Sequence, residues 1–447
     1  MSWNNSYDVL IIWWGVSGTA LLYTLAKFTD VKRIALLEKY DNVGLVNSKA
    51  TNNSQTLHSW DIETNYNLAK ATKVKRKADM LKHFVEEFAA DHGDQKLFHR
   101  YNKMILAVWA KEVATLEQRY QDFKELFPTL RRIERDEIAQ LEPEVVMWRD
   151  INEPILALTS PEWYTIDYGL LSGCFVQQAT AQEDKDIDIY LNTLVTDIKK
   201  TDTGYRVTTK SGEVFETTVL AVCAWGHTPL IAQSLGYGKN FSILSVAGSF
   251  FKSTRKILNG KVYTMQMEKL PFAAVHGDPD VHNADETRFG PTAKGIFMLE
   301  RYNYNSIREY FKVFGFRWKA FQIIINLTLD RIIWPYLFKN FWYDVPRIGK
   351  RLFVKELKKI VPALSADDIV HGDGLGGTRP QILNLDTMQL EMGEAKISWD
   401  KVIFNITPSP GATTCLGNAY DDTQTIMWFF DGKFTFHKEN FEKHFVK

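Results

Sequence analysis

A strand, a tight turn, a helix and a second strand follow one another within Tyr7–Lys39, YDVLIIWWGVSGTALLYTLAKFTDVKRIALLEK. Tyr7–Ile12 is a short apolar run with β-branched residues, which predicts a buried strand. Val16–Phe28 carries apolar residues at helical spacing, and Arg33–Leu37 is a second apolar run ending at Glu38. An acidic residue about 20 positions past the first turn completes the layout of a dinucleotide-binding βαβ unit. The fingerprint of that unit is G-x-G-x-x-G. Here it reads Trp13-Trp14-Gly15-Val16-Ser17-Gly18. The second and third glycines are present, and the first, which makes the tight turn, is tryptophan. The unit commits the chain to an α/β fold with a parallel sheet.

The 447 residues suffice for two domains, or for a cofactor domain with a substrate domain inserted. A formal net charge of zero argues against a nucleic-acid partner held by bulk charge. Cys174, Cys223 and Cys415 are widely spaced, form no metal or disulfide pattern, and fit a reducing compartment. The start MSWNNSYDV has neither the basic region nor the apolar core of a signal peptide. No run of about 18 apolar residues exists to span a bilayer. Asp41–Tyr66 is polar and predicts a long ordered loop. Thr165–Ala181 predicts a helix with Thr165 as N-cap and Asp167 in its first turn. Ile187–Cys223 predicts a β-meander that returns into TTVLAVCAWGHT, a second strand end facing the cofactor. Phe311–Arg351 mixes aromatic and aliphatic residues with Lys and Arg. It fits either an element lying in a membrane interface or a buried helical pair.

Several residues carry the chemistry. Glu38 is placed to accept hydrogen bonds from an adenosine ribose. His58 lies in NSQTLHSWDIETNY, soon after the βαβ unit. FAAVHGDPDVHNADETRFGPTAKG holds His276, Arg288 and Gly290-Pro291. A histidine and a cation in one loop system suit oxidation of a hydroxy acid, the histidine removing the hydroxyl proton and the cation holding a carboxylate. HGDGLGGTRPQ adds Arg379, and TPSPGATTCLGN opens a helix whose N-terminus would stabilise an anionic reduced flavin ring.

With these segments in view, the chain resembles the malate:quinone oxidoreductases, flavoproteins related to the D-amino-acid oxidase and L-2-hydroxyglutarate dehydrogenase group. The resemblance is closest to the shorter, epsilonproteobacterial-type members. DVLII and GVSG with LLEK, NSQTLH, DIETNY, LPFAAVHGDPD, TRFGPTAKG, GGTRPQ and TPSPGATTC carry it, from Asp8 to Cys415. It implies a glutathione-reductase-like FAD-binding fold, a Rossmann-type parallel sheet with an inserted α+β substrate domain. The FAD domain would comprise 1–75, 150–240 and 365–447, and the substrate and membrane-facing domain 76–149 and 241–364. It implies oxidation of (S)-malate to oxaloacetate in the tricarboxylic acid cycle, with electrons passed to a membrane quinone. It also implies a cytoplasmic chain, peripheral on the inner face of the cell membrane, with 311–351 as the segment that meets the membrane. By position Gly15, Val16, Ser17, Gly18, Glu38, Ser54, Gln55, Gly411, Ala412 and Thr413 bind FAD. His276 is the implied base, His58 approaches the flavin, and Arg288 and Arg379 take the two malate carboxylates. No metal is implied.

The departures cluster. The family pattern has glycine at 13 and 14, where this chain has Trp13 and Trp14, and Trp60 and Trp225 also replace glycines. Trp109 and Trp163 stand where small loop residues are expected. An indole at 13 brings a Cβ and a large ring to a turn that needs close backbone approach to a pyrophosphate. Such changes at separate cofactor contacts read as obstruction rather than drift. Two other functions therefore stand beside malate oxidation: a cofactor-free, inactive scaffold of the same fold, and a flavin oxidase of another 2-hydroxy acid or an amino acid that uses oxygen.

Overall fold

The computed structural model describes residues 5–13, 15–59, 67–92, 97–253, 255–266, 274–331, 333–345, 347–391, 395–406 and 410–446, without the side chains of 89–92, 162, 163 and 395. Trp14 and Trp60 lie outside the described residues.

The opening unit forms as the residue pattern dictates. β1 (Ser6–Ile12), α1 (Val16–Phe28) and β2 (Arg33–Leu37) are a parallel crossover, with Val9 opposite Ile34 and Ile12 opposite Leu37. Val214–Val222 lies parallel on the other side of β1, and Val402–Ile406 lies parallel beyond that. Asp186–Tyr190 extends the sheet past β2. The order across this sheet is thus Ala395–Trp399, Val402–Ile406, Val214–Val222, β1, β2, Asp186–Tyr190. β1, β2 and Val402–Ile406 are covered on both faces, so they are almost continuously apolar, as buried parallel strands must be. α1 is buried nearly all round because it packs between the helices Tyr168–Thr180 and Cys415–Phe429.

A second, mixed sheet of eight strands is built on Phe98–Val108, Ile155–Ile166, Lys261–Thr264, His276–Pro279 and Thr287–Gly290, with short edge strands. Ile155–Ile166, inside the expected 150–240 segment, pairs with Phe98–Val108 in this sheet. A four-stranded antiparallel sheet centred on Phe241–Ala247 and Thr378–Asn384 joins the two layers. The helices Ser306–Phe314, Trp318–Leu329 and Ile333–Tyr343 pack beside it, and the next, Ile348–Leu357, packs on the eight-stranded sheet.

One expected boundary moves. Thr165 ends the strand Ile155–Ile166 and does not cap the following helix, which spans Tyr168–Thr180. Asp167 is the cap: its Oδ1 accepts hydrogen bonds from the N–H groups of Gly169 (2.8 Å) and Leu170 (3.0 Å). Its Oδ2 meets His282 Nε2 at 2.8 Å, which ties the helix start to the second sheet's loops. Asp167→Ala should therefore lower the unfolding free energy by about 1 kcal/mol or somewhat more, read from the urea midpoint. Thr165→Ser should leave the helix intact.

A candidate active site at the strand ends

Ligands of open parallel sheets bind beyond the carboxyl ends of the strands. Here β1, β2 and Val214–Val222 end together at Trp13, Glu38 and Cys223, on a cleft of about 1300 Å3 counting the space open to solvent. The cleft runs from these strand ends to Arg379 and Phe250 at the second layer.

The wall near β1 is tightly built. The N–H of Val16, first of the unpaired donors at the start of α1, donates to Ser48 Oγ at 2.9 Å. A Cβ on Gly15 would stand 2.2 Å from that oxygen, so a side chain there would displace the hydroxyl and break its bond to Val16. Ser48 had no signal in the sequence beyond its place in the polar loop. Glu38 is buried, and its Oε1 accepts the N–H of Tyr40 at 2.9 Å. Beside it Lys39 is ion-paired with the buried Glu300, whose Oε2 also accepts from the Tyr40 hydroxyl at 2.6 Å. Burial alone would raise the Glu300 carboxyl. Lys39, His227 and Tyr40 outweigh it and hold the carboxyl down at about 2. Lys39, Tyr40, His227 and Glu300 carry no local signal in the sequence, because Lys39 and Tyr40 meet Glu300 from more than 250 positions away and His227 meets Glu309 from 82.

Of the expected cofactor residues, Gly15, Val16, Ser17, Glu38, Ser54, Gly411, Ala412 and Thr413 line the cleft. Gly18 is one turn inside α1, away from the wall. Gln55 lies behind it: its Nε2 donates to Ala50 O and Asp280 Oδ2, and its Oε1 accepts from Val281 N. Thr413 Oγ1 accepts the N–H of His58 at 3.0 Å and so joins the loop of His58 to the loop at Gly411.

The four expected catalytic side chains divide. His58 and Arg379 are on the cleft. The Arg379 side chain has no hydrogen bond or ion pair among the described residues, and burial pulls its pKa down. His276 and Arg288 are one layer behind. They are fully buried on adjacent antiparallel strands whose faces are both covered. Arg288 donates to Asn53 O at 3.0 Å and to Asp280 Oδ2 at 3.2 Å, so its guanidinium is a strut between the loop and the sheet and is not presented to a ligand. His276 Nδ1 faces Ala274 O at 3.1 Å, which fixes the proton on Nδ1 and leaves Nε2 as the lone-pair atom, 3.7 Å from Asp278 Oδ1. Burial, reinforced by Lys261, holds the imidazole well below its usual pKa and therefore neutral. Burial also raises the Asp278 carboxyl, against the pull of Lys261 and Arg288. Lys261, unmarked in the sequence, reaches from this buried cluster to Thr56 Oγ1 and Ser54 O on the cleft loop.

The frame fits FAD over most of its length: a helix start with donors, a carboxylate at the end of β2, and a second helix entry at Gly411. The exceptions are two side chains. Trp13 stands at φ 46° at the end of β1. Its indole meets the His227 ring edge-on at 5.2 Å, with the Lys39 ammonium 4.9 Å from its centroid. Trp225 stands at φ 51°, three residues past the end of the neighbouring strand, where the short 3-10 turn Trp225–His227 begins. Both indole N–H groups are buried with no hydrogen-bond partner among the described residues. The Trp13 ring lies on the cleft wall at the position where the fingerprint has its first glycine.

A strand-end cleft with a βαβ wall defines a dinucleotide-dependent oxidoreductase, and the chain matches the FAD dependent oxidoreductase family over residues 8–419. Within it, the chain belongs to the malate:quinone oxidoreductase family. It is 40% identical over 443 residues to a probable malate:quinone oxidoreductase of Campylobacter jejuni, covering 96% of this chain and 98% of the relative. It is 38% identical to the malate:quinone oxidoreductase of Helicobacter pylori, covering 96% of each. The fold is also that of the FAD-bound L-α-glycerophosphate oxidase of Mycoplasma pneumoniae, with TM-score 0.66, 18% identity and 95% of each chain covered. Neither a cofactor-free scaffold nor an oxidase of another acid is better supported.

The Lys39–Glu300 ion pair carries a pH signature. Glu300 has a depressed folded pKa, so its contribution is present above its unfolded value near 4.3 and is lost as pH falls toward about 2. Urea unfolding should show wild type losing, between about pH 4 and pH 2, on the order of 3 kcal/mol that Glu300→Gln does not lose.

Proposed function

We propose that this chain oxidises malate to oxaloacetate and passes the electrons to a membrane quinone. The single observation that carries the assignment of roles is the pairing of His58 and Arg379 on one cleft, with His276 and Arg288 behind them. FAD, bound along the cleft, supplies the two-electron acceptor. The part-buried Arg379 guanidinium, with no carboxylate partner of its own among the described residues, pairs with a malate carboxylate in a bidentate, charge-assisted contact. His58 takes the hydroxyl proton. Its backbone is held by Thr413, so the ring is carried on a fixed loop. Lys261 acts from behind, keeping the loop at Ser54–Thr56 in place.

The membrane side of the reading rests on the segment 311–351. Trp318, Leu329, Phe338 and Phe341 are each more than half exposed on the helices Trp318–Leu329 and Ile333–Tyr343. Arg317, Lys319, Arg331 and Lys339 are interleaved with them. No described helix is long and apolar enough to cross a membrane. This face suits a helical pair lying in the headgroup region, apolar side down, where a lipid-soluble quinone is reached. The surface would be the inner face of the cell membrane. We assign 1–75, 150–240 and 365–447 to the cofactor and the remainder to substrate and membrane, with Ile155–Ile166 and Thr378–Asn384 crossing from the first group into the other two sheets.

In flavin-loaded protein, malate should reduce a soluble quinone analogue with one oxaloacetate formed per quinol, and without hydrogen peroxide. Peroxide formation with no need for quinone would replace this reading with the oxidase. Arg379→Met should raise the malate KM by about 10- to 100-fold, and His58→Gln should lower kcat by about 10²- to 10⁴-fold. A larger loss in His276→Gln than in His58→Gln would return the base to His276. Phe338→Asp with Phe341→Asp should abolish sedimentation with anionic liposomes and leave turnover of the soluble quinone unchanged.

A further inference from the structure

Tryptophan supplies 13 of the 447 residues, yet among the described residues four of the thirteen non-glycine positions with positive φ are tryptophan. They are Trp13 (46°), Trp109 (72°), Trp148 (64°) and Trp225 (51°). Left-handed backbone is disfavoured by a Cβ and is the province of glycine, with asparagine and aspartate next. Trp109 is the most telling. Its φ 72°, ψ 152° lies in a region that is essentially glycine-only, at the junction of the strand Phe98–Val108 with the helix Ala110–Phe123. Trp148 stands just past the helix Pro143–Val146 and its C-cap Met147, where a left-handed residue ends a helix and is usually glycine. Trp13 and Trp225 follow two adjacent parallel strands at the cleft, each with a buried indole N–H that has no hydrogen-bond partner among the described residues.

Obstruction of the cofactor does not explain this set. Trp109 and Trp148 are 54% and 80% exposed and do not line the cleft. What the four share is a backbone that asks for glycine, wherever in the fold it lies. The tryptophans at 163, 318, 334, 342, 399 and 428 do not have positive φ, so the property belongs to a subset. A fold kept intact around the same wrong residue at unrelated turns points to one common cause at the level of decoding. The codon UGA is a stop in the standard code, is read as tryptophan in some variant codes and as glycine in others. UGG is tryptophan in all of these.

We infer that the working enzyme carries glycine at positions 13, 109, 148 and 225, and that the codon at each is UGA read as glycine in the source organism. The cleft then regains the first glycine of its fingerprint and loses both unpartnered indoles, while two surface turns lose their strain. The inference stands on backbone geometry and does not depend on which acid is oxidised.

The gene sequence and a peptide mass spectrum of the protein isolated from its source test it directly. UGA codons and glycine masses at these four positions are expected. UGG codons, or tryptophan masses at 13 and 225, overturn it. Two recombinant comparisons supply independent readouts. Trp148→Gly, remote from the cleft, should shift the unfolding equilibrium toward the native state by about 5- to 30-fold, and no shift counts against it. Trp13→Gly with Trp225→Gly should bind FAD at least about tenfold more tightly than the tryptophan chain, read from flavin absorbance and fluorescence quenching. Equal FAD binding by the two chains would contradict the inference at the cleft.

Discussion

Everything in the site depends on how closely backbone can approach backbone where β1 runs into α1. Val16 gives its N–H to Ser48, and Gly15 leaves no room for a Cβ beside that hydroxyl. The start of α1 is thereby pinned to the loop that continues to Ser54 and His58. That loop is anchored in turn by Gln55 and Arg288 to the second sheet and by Thr413 to the helix entry at Gly411. One short turn therefore sets the distance between the cofactor wall and the substrate wall. Side chains there are constrained by what the backbone must do, which is why a large residue at 13 is so conspicuous.

The buried charges follow from the same arrangement. Lys261, His276, Asp278 and Arg288 sit between the layers with almost no exposure, at a cost that only mutual pairing offsets. Arg288 and Lys261 hold loop carbonyls, and His276 is kept neutral by its surroundings. These groups make the loop rigid. The groups left facing the cleft, His58 and Arg379, can then meet a ligand with little reorganisation. The membrane contact proposed for the exposed apolar face of Trp318–Leu329 and Ile333–Tyr343 fits a two-substrate enzyme whose acid comes from water and whose quinone comes from lipid.

Much of this was legible in the residues. The β1–α1–β2 unit is strongly periodic, so its bounds were read almost without error, and His58 and Arg379 could be placed because their motifs lie at strand and loop ends. The strand Ile155–Ile166 was not legible. Pro161 interrupts it, and the chain tolerates that proline only because the pairing slips between Tyr101 and Lys103 opposite it. The helix start was set two residues early for the same reason, since Thr165 still belongs to that strand. His276 and Arg288 looked like loop residues because their neighbourhood is polar. In fact they lie on short strands covered on both faces, and no period-2 pattern distinguishes inside from outside there. The Lys39–Glu300 and Lys261–Thr56 contacts join residues more than 200 positions apart and leave no local trace.

The most direct test of the account is an anaerobic spectrum of the chain carrying glycine at 13 and 225, loaded with FAD, before and after addition of malate. The account predicts bleaching of the flavin absorbance by malate, slowed in His58→Gln. A flavin that stays oxidised with saturating malate, yet bleaches with another 2-hydroxy acid or an amino acid, would contradict it.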